Sequence, residues 1–374
     1  MQIIKGKEKI GNILFIIGIS LELLVMLTGH CSWITLPYSG RIVQAAFILF
    51  GCKVLFTRYE KRDLIVIFIL GILGVISYLT LHDEYVIRAV MLIAAAKDID
   101  DNRIVKIIFY SSLAATIFIV VMALLGIRGQ VMDVRDYGRG GVEARWCMGF
   151  NHANNVHCMY WYLTVLFLYM KKNACKIWWY IVILAGDVGL YILTASKTGL
   201  IATALVVIAM AVCDKWPMLK QKKWPYIAGV ASVVACIAMT ILGAAYGNAN
   251  AVSRFLDKFL NQRLNMCHDI AYIGDWKLFP GAREMEKIVD NGMGNFVYTY
   301  GIVMVLVMIG AIVYLIIRAY KERNALLLVI VVTYTYVWFM ESSFAINTSL
   351  LCTIMYIMLF NRWNKQSELI LQEK

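Results

Sequence analysis

Proline, histidine and charge are what this chain of 374 residues has least of, with four prolines, five histidines and a charged share of 16%. Ordinary globular chains carry about 25% charged residues, so water alone is excluded as the solvent of a sequence that is 61% hydrophobic. Scarce proline leaves long stretches in which nothing interrupts an α-helix. There is no Walker loop, no GxGxxG after a strand and no zinc-type spacing. An ATP-driven pump, a dinucleotide enzyme and a metal centre therefore have no support, and no cofactor is expected. Nine cysteines are present, but most sit inside apolar runs, where Cys behaves as a small hydrophobe. Only Cys31, Cys147 and Cys267 are candidates for the outside, and nothing demands a bridge among them.

What is abundant is apolar sequence in lengths near the ~20 residues that cross a bilayer as a helix. Spans are predicted near 10–29, 42–57, 64–81, 84–97, 105–127, 150–170, 177–194, 199–213, 226–246, 296–318, 325–340 and 347–360. The expected architecture is an all-α polytopic bundle of about twelve helices, residues 1–374 forming one membrane unit. Lys5, Lys7 and Lys9 precede a first run of full spanning length, which reads as an uncleaved first helix. With both termini in the cytoplasm, every short inner loop is basic; Arg58, Lys61, Arg62, Lys97, Arg103, Lys171, Lys220 and Lys223 all fall inside. The net charge of +12 is thus loop charge and calls for no nucleic acid. Two long loops, 128–149 and 247–295, and the turn at 195–199 lie outside. Within the larger loop, Phe255, Phe259, Leu260 and Leu264 recur at helical spacing, the pattern of an amphipathic helix at the outer surface or, equally, of a packed cap helix. Neither internal repeats nor paired broken helices are visible, which weighs against a transporter.

Outer loops of such a protein usually hold few cations, yet Arg128, Arg135, Arg139 and Arg145 precede the sixth span. Arg254, Lys258, Arg263, Lys277, Arg283 and Lys287 lie in the larger loop. Guanidinium offers a rigid fork that matches phosphate, so these arginines suit an anionic ligand at the membrane face. Solvated loop charge attracted to lipid headgroups is the plainer alternative. His152, with Asn151, Asn154 and Asn155, opens the sixth span as a candidate proton acceptor or a helix-start residue. Lys197 lies between Ser196 and Thr198 at a helix start, a place suited to an anion. Asp290, Asn291 and Asn295 stand beside Tyr298 and Tyr300, where amides and aromatics suit a sugar. Glu22, Arg88 and Asp187 are ionisable groups inside apolar runs, and an Arg88–Asp187 staple is the expected pairing. The acidic run 98–101 reads as solvated charge.

The order of these pieces resembles the bacterial O-antigen and capsular repeat-unit polymerases, relatives of the O-antigen ligases. The matching pieces are Arg145 followed by GF-x-H-x-N-N at 149–155, T-x-S-K-T-G at 194–199, Arg263, D-N-x-x-x-N from Asp290 with Gly301 beyond, and Glu341, Ser342, Ser343 and Asn347. They cover roughly residues 135–350. The family commonly has His-Pro-Asn where this chain has His152-Ala153-Asn154, and Ser-Arg-Thr-Gly where it has Lys197 after Ser196. The resemblance implies a GT-C-like membrane glycosyltransferase that joins undecaprenyl-diphosphate-linked oligosaccharides at the outer face of the cytoplasmic membrane. Its substrates would be lipid-linked oligosaccharides within membrane lipid, and a chain-length regulator protein is an admissible partner. Carried onto this sequence, Arg145, Arg263 and His152 become catalytic candidates. Lys197, Asn154, Asn155, Arg139, Arg283, Asp290 and Asn291 become substrate contacts. An O-antigen ligase is the near rival, and a lipid-linked sugar flippase the non-enzymatic one.

Overall fold

The computed structural model describes residues 2–136, 141–171, 175–281, 290–342 and 350–360. Fourteen helices dominate the described residues. They are α1 (Gln2–Gly29), α2 (Ser39–Leu55), α3 (Lys61–Leu81), α4 (Tyr85–Ala95), α5 (Asp101–Leu124), α6 (Ala153–Lys171) and α7 (Ile177–Thr194). They continue as α8 (Lys197–Lys215), α9 (Trp224–Tyr246), α10 (Ala251–Phe259), α11 (Arg263–Ile270), α12 (Gly292–Lys321), α13 (Ala325–Met340) and α14 (Leu350–Phe360). Seven of them, α1, α3, α5, α7, α8, α9 and α12, are long and apolar enough to cross a membrane. The chain is a mostly helical, multi-pass membrane protein. A helix lies in each predicted span, but α2, α4, α6, α13 and α14 are not among the seven, and residues 347–349 of the last span lie outside the described residues. The all-α expectation omitted one element, a hairpin of β1 (Met132–Asp136) and β2 (Val142–Trp146) in register Asp133 to Arg145.

Helix starts follow local chemistry. Ser196 accepts from the Gly199 amide, Asn291 from Gly294 and Asn324 from Leu327, each satisfying an amide that the first helical turn leaves unpaired. Asp100 does the same for Arg103 at the start of α5, and Asp101 accepts from the Tyr169 hydroxyl at 2.6 Å. The acidic run is therefore partly structural and not merely solvated. Helix α13 is apolar all round, as a buried helix must be, and it packs among α6, α8, α9 and α12. Helix α3 is its opposite. Leu64, Ile65, Phe68, Ile69, Ile72 and Leu79 are exposed, a surface suited to lipid.

Alternation of the helices collects the connections into two faces. On one, the loop after α1 meets the α5–α6 connection (Asn151 Nδ2 to the Gly29 carbonyl, 2.7 Å), and Lys197 donates to Asn261 at 3.2 Å. Tyr300 of α12 reaches Asp83 between α3 and α4 at 3.3 Å. We call this the site face. On the opposite face Lys97 pairs with Asp63, and Tyr180 donates to Asp214 at 2.6 Å.

Helix α12 breaks at Gly301, whose φ of 82° and ψ of 169° lie outside the helical region. The amides of Ile302 and Val303 turn to the carbonyls of Lys277 and Leu278, at 2.9 and 3.1 Å. A break inside a helix frees backbone amides that need acceptors, and the 277–278 segment supplies them. The break is single and has no counterpart in a matching half among the described helices.

Candidate functional site

The site face holds one buried polar cluster built from four separate elements. Arg263 opens α11. Its Nε donates to the Met340 carbonyl at 2.5 Å and its Nη2 to Glu341 Oε1 at 3.0 Å. Glu341 ends α13, and Asn154 of α6 donates to both its carboxylate oxygens at 3.2 and 3.3 Å. Arg263 and Glu341 are both buried. Such a pair is held only because each lone pair and proton finds a partner. Beside it, Gly292 packs so tightly that an added Cβ would fall 2.1 Å from the Trp338 carbonyl and 2.4 Å from that of Glu341. The start of α12 is thereby pressed onto the end of α13. Asn291 caps that start with its oxygen, while its buried Nδ2 has no hydrogen-bond partner among the described residues. Asp290, half-buried, accepts from the Ser342 hydroxyl at 3.5 Å.

His152 precedes α6. Its Nδ1 accepts from the Asn154 amide at 3.1 Å, which places the proton of a neutral imidazole on Nε2. Burial pushes the imidazole below its ordinary value and the Arg135 charge adds to this, while Asp290 opposes it. Arg145, on β2, is buried, and its Nε and Nη2 both donate to Glu143 Oε2, at 3.0 and 2.5 Å. The sequence reading of Arg145 and Arg263 as anion-facing cations is thus modified: each carries a carboxylate partner. Lys197 is exposed at the rim, and Asn155 is half-buried one residue into α6 from Asn154. Arg139, Arg283, Ser343 and Asn347 lie outside the described residues. Tyr300 is buried against Phe296, and Tyr298 is half-buried. A sugar-stacking role for Tyr300 does not fit that placement.

The expected Arg88–Asp187 staple does not form. Arg88 pairs instead with Glu22 of α1 at 2.5 Å and with Glu84 at 3.6 Å. Asp187 pairs with His157 Nε2 at 2.6 Å, and His157 Nδ1 lies 3.2 Å from the Thr194 hydroxyl. Sequence reasoning passed over His157, which is fully buried under Gly199. An ionisable group within an apolar run was the signal that could have found it. The described cysteines are free, with Cys31, Cys147 and Cys267 buried.

Compared with family models, with curated proteins and with solved structures, the chain matches none.

Proposed function

We propose that this protein is a glycan polymerase that joins polyprenyl-diphosphate-linked oligosaccharide repeat units, working at the outer face of a bacterial cytoplasmic membrane. On this reading all twelve predicted spans cross the bilayer, the basic connections lie in the cytoplasm and the site face lies outside. The observation that carries the proposal is the meeting of distant motif pieces. Asn154 after the GF-x-H motif, Arg263, Asp290 beside Ser342, and Glu341 converge on one face from positions nearly 190 residues apart (|i−j| of 187 for Asn154 and Glu341). Those same pieces carry the resemblance in linear order.

The chemistry assigned to them is a displacement at the anomeric carbon. The bond from that carbon to the diphosphate oxygen breaks, the acceptor hydroxyl oxygen bonds to the carbon, and the hydroxyl proton passes to a carboxylate. The diphosphate is already a good leaving group, so its departing charge needs preorganised donors and no nucleotide. Arg145, the Arg263 cluster, Lys197 at the rim and the Asn291 amide, which has no partner among the described residues, are the donors assigned to it. Asp290 takes the proton, because His152 offers Nε2–H as a donor and suits orienting the acceptor. An O-antigen ligase would use the same donor side with another acceptor.

The break at Gly301 favours a second reading, a flippase, since transporters place broken helices at their substrate sites. Proteoliposomes loaded with a lipid-linked repeat unit separate the two. A ladder of longer glycans supports the polymerase, and translocation without elongation supports the flippase.

A further inference from the structure

Helix α10 is built the wrong way round for a helix that faces water. Its buried stripe is Ser253 and Asp257, continued by Leu260 just past its end, whereas Val252, Phe255 and Phe259 are 65%, 75% and 72% exposed. At 100° per residue, positions 252, 255 and 259 form one stripe and 253, 257 and 260 another, with Arg254 and Lys258 exposed alongside the aromatic one. The inversion is held in place. Asp257 Oδ1 accepts from the amides of Leu264 and Asn265 at 2.8 and 3.0 Å, and Asn250 with Ser253 forms a reciprocal cap at the helix start. Turning α10 over would strip the first turn of α11 of those acceptors. Its distance from the bilayer is also limited. The membrane-length helix α9 ends at Tyr246 and α10 begins at Ala251, so the five steps between them reach at most about 18 Å.

We propose that α10 is an interfacial foot: its Val252, Phe255 and Phe259 stripe inserts into the bilayer surface at the site face, and Arg254 and Lys258 engage anionic lipid headgroups. A basic helix with an aromatic face beside a membrane span is suited to that environment. Arg263 begins the next helix, so the foot sets the height of the buried Arg263–Glu341 pair relative to the lipid surface. The proposal is independent of the polymerase reading.

The test places a nitroxide on Phe255→Cys, Phe259→Cys and, as the aqueous reference, Lys277→Cys, in full-length protein in nanodiscs of mixed phosphatidylcholine and phosphatidylglycerol. Labelled wild-type protein supplies the background from native cysteines. At 255 and 259 collisions with oxygen should exceed those with a water-soluble nickel chelate, with the reverse at 277. Nickel collisions at 255 and 259 as frequent as at 277 would overturn the proposal. So would dipolar broadening that vanishes on dilution with unlabelled protein, because the stripe would then face a second copy. In phosphatidylcholine alone the labels should move toward water; unchanged depth would overturn the headgroup contact.

Discussion

Arg263 Nη2 and Glu341 Oε1 meet at 3.0 Å across 78 residues of sequence, with both side chains buried. Removing one partner leaves a charge uncompensated in a low-dielectric site, at a typical cost of about 3–5 kcal/mol. Arg263→Met and Glu341→Leu should therefore each destabilise strongly. The double variant should recover part of the loss, because apolar groups can replace a whole pair more cheaply than half of one. Thermal unfolding in detergent measures this. Additive losses would show that the two side chains are not coupled.

Arg263 uses two edges of its guanidinium at once, on the Met340 carbonyl and on Glu341, and Arg145 directs Nε and Nη2 to Glu143. Lysine keeps the charge and loses the fork. Arg263→Lys and Arg145→Lys should each lower polymer formation by about 10²–10³-fold, the usual cost of one preorganised donor. Wild-type turnover in both would reduce these residues to structural charges.

The His152 imidazole is held below its ordinary value by burial, with Arg135 adding to the effect. Protonation of His152 therefore needs a lower pH than that of an ordinary His. Activity that depends on the neutral ring should persist to lower pH than an unshifted imidazole would allow, and be lost as pH falls further. His152→Gln can still accept from the Asn154 amide, so it should retain most activity. Asp290→Asn should lose about 10²–10⁴-fold, the usual worth of a general base. The opposite ranking of the two variants would make His152 the base.

Gly301 adopts a backbone region that is essentially reserved for glycine, and an added Cβ would lie 2.7 Å from the Phe279 carbonyl carbon. Gly301→Ala should cost about 1–3 kcal/mol from the backbone alone and should dislodge the 277–279 segment. Limited proteolysis checks it: cleavage around Lys277 should accelerate in the variant and not in Gly310→Ala, where a Cβ meets open space. Equal cleavage rates would show that the segment does not depend on the break.

Helix placement was legible because an apolar run of membrane length constrains the backbone whatever its neighbours do, and caps such as Ser196 and Asn291 are local chemistry. Pairings were not legible. Arg88, Glu22 and Asp187 announce themselves as ionisable groups in apolar runs, but which faces of α1, α4, α6 and α7 meet is decided by packing. The same limit hid the partner of Arg263, since Glu341 joins it through the end of α13 and not through any sequence spacing. The spacing of Phe255, Phe259, Leu260 and Leu264 suggests one shared face, but α10 ends at Phe259, Leu260 and Leu264 are buried, and only the two phenylalanines share the exposed side. That Ser253 and Asp257 are its buried side depends on α11.

On the proposed function, the site-face cluster breaks a glycosyl diphosphate bond as it makes a glycosidic one. The direct measurement follows a single reaction in proteoliposomes, quantifying polyprenyl diphosphate released and glycosidic bonds formed by wild-type protein and by Asp290→Asn. The two products should rise together, one for one, and both should fall together in the variant. Translocation of the lipid-linked unit with no diphosphate lipid released would contradict it.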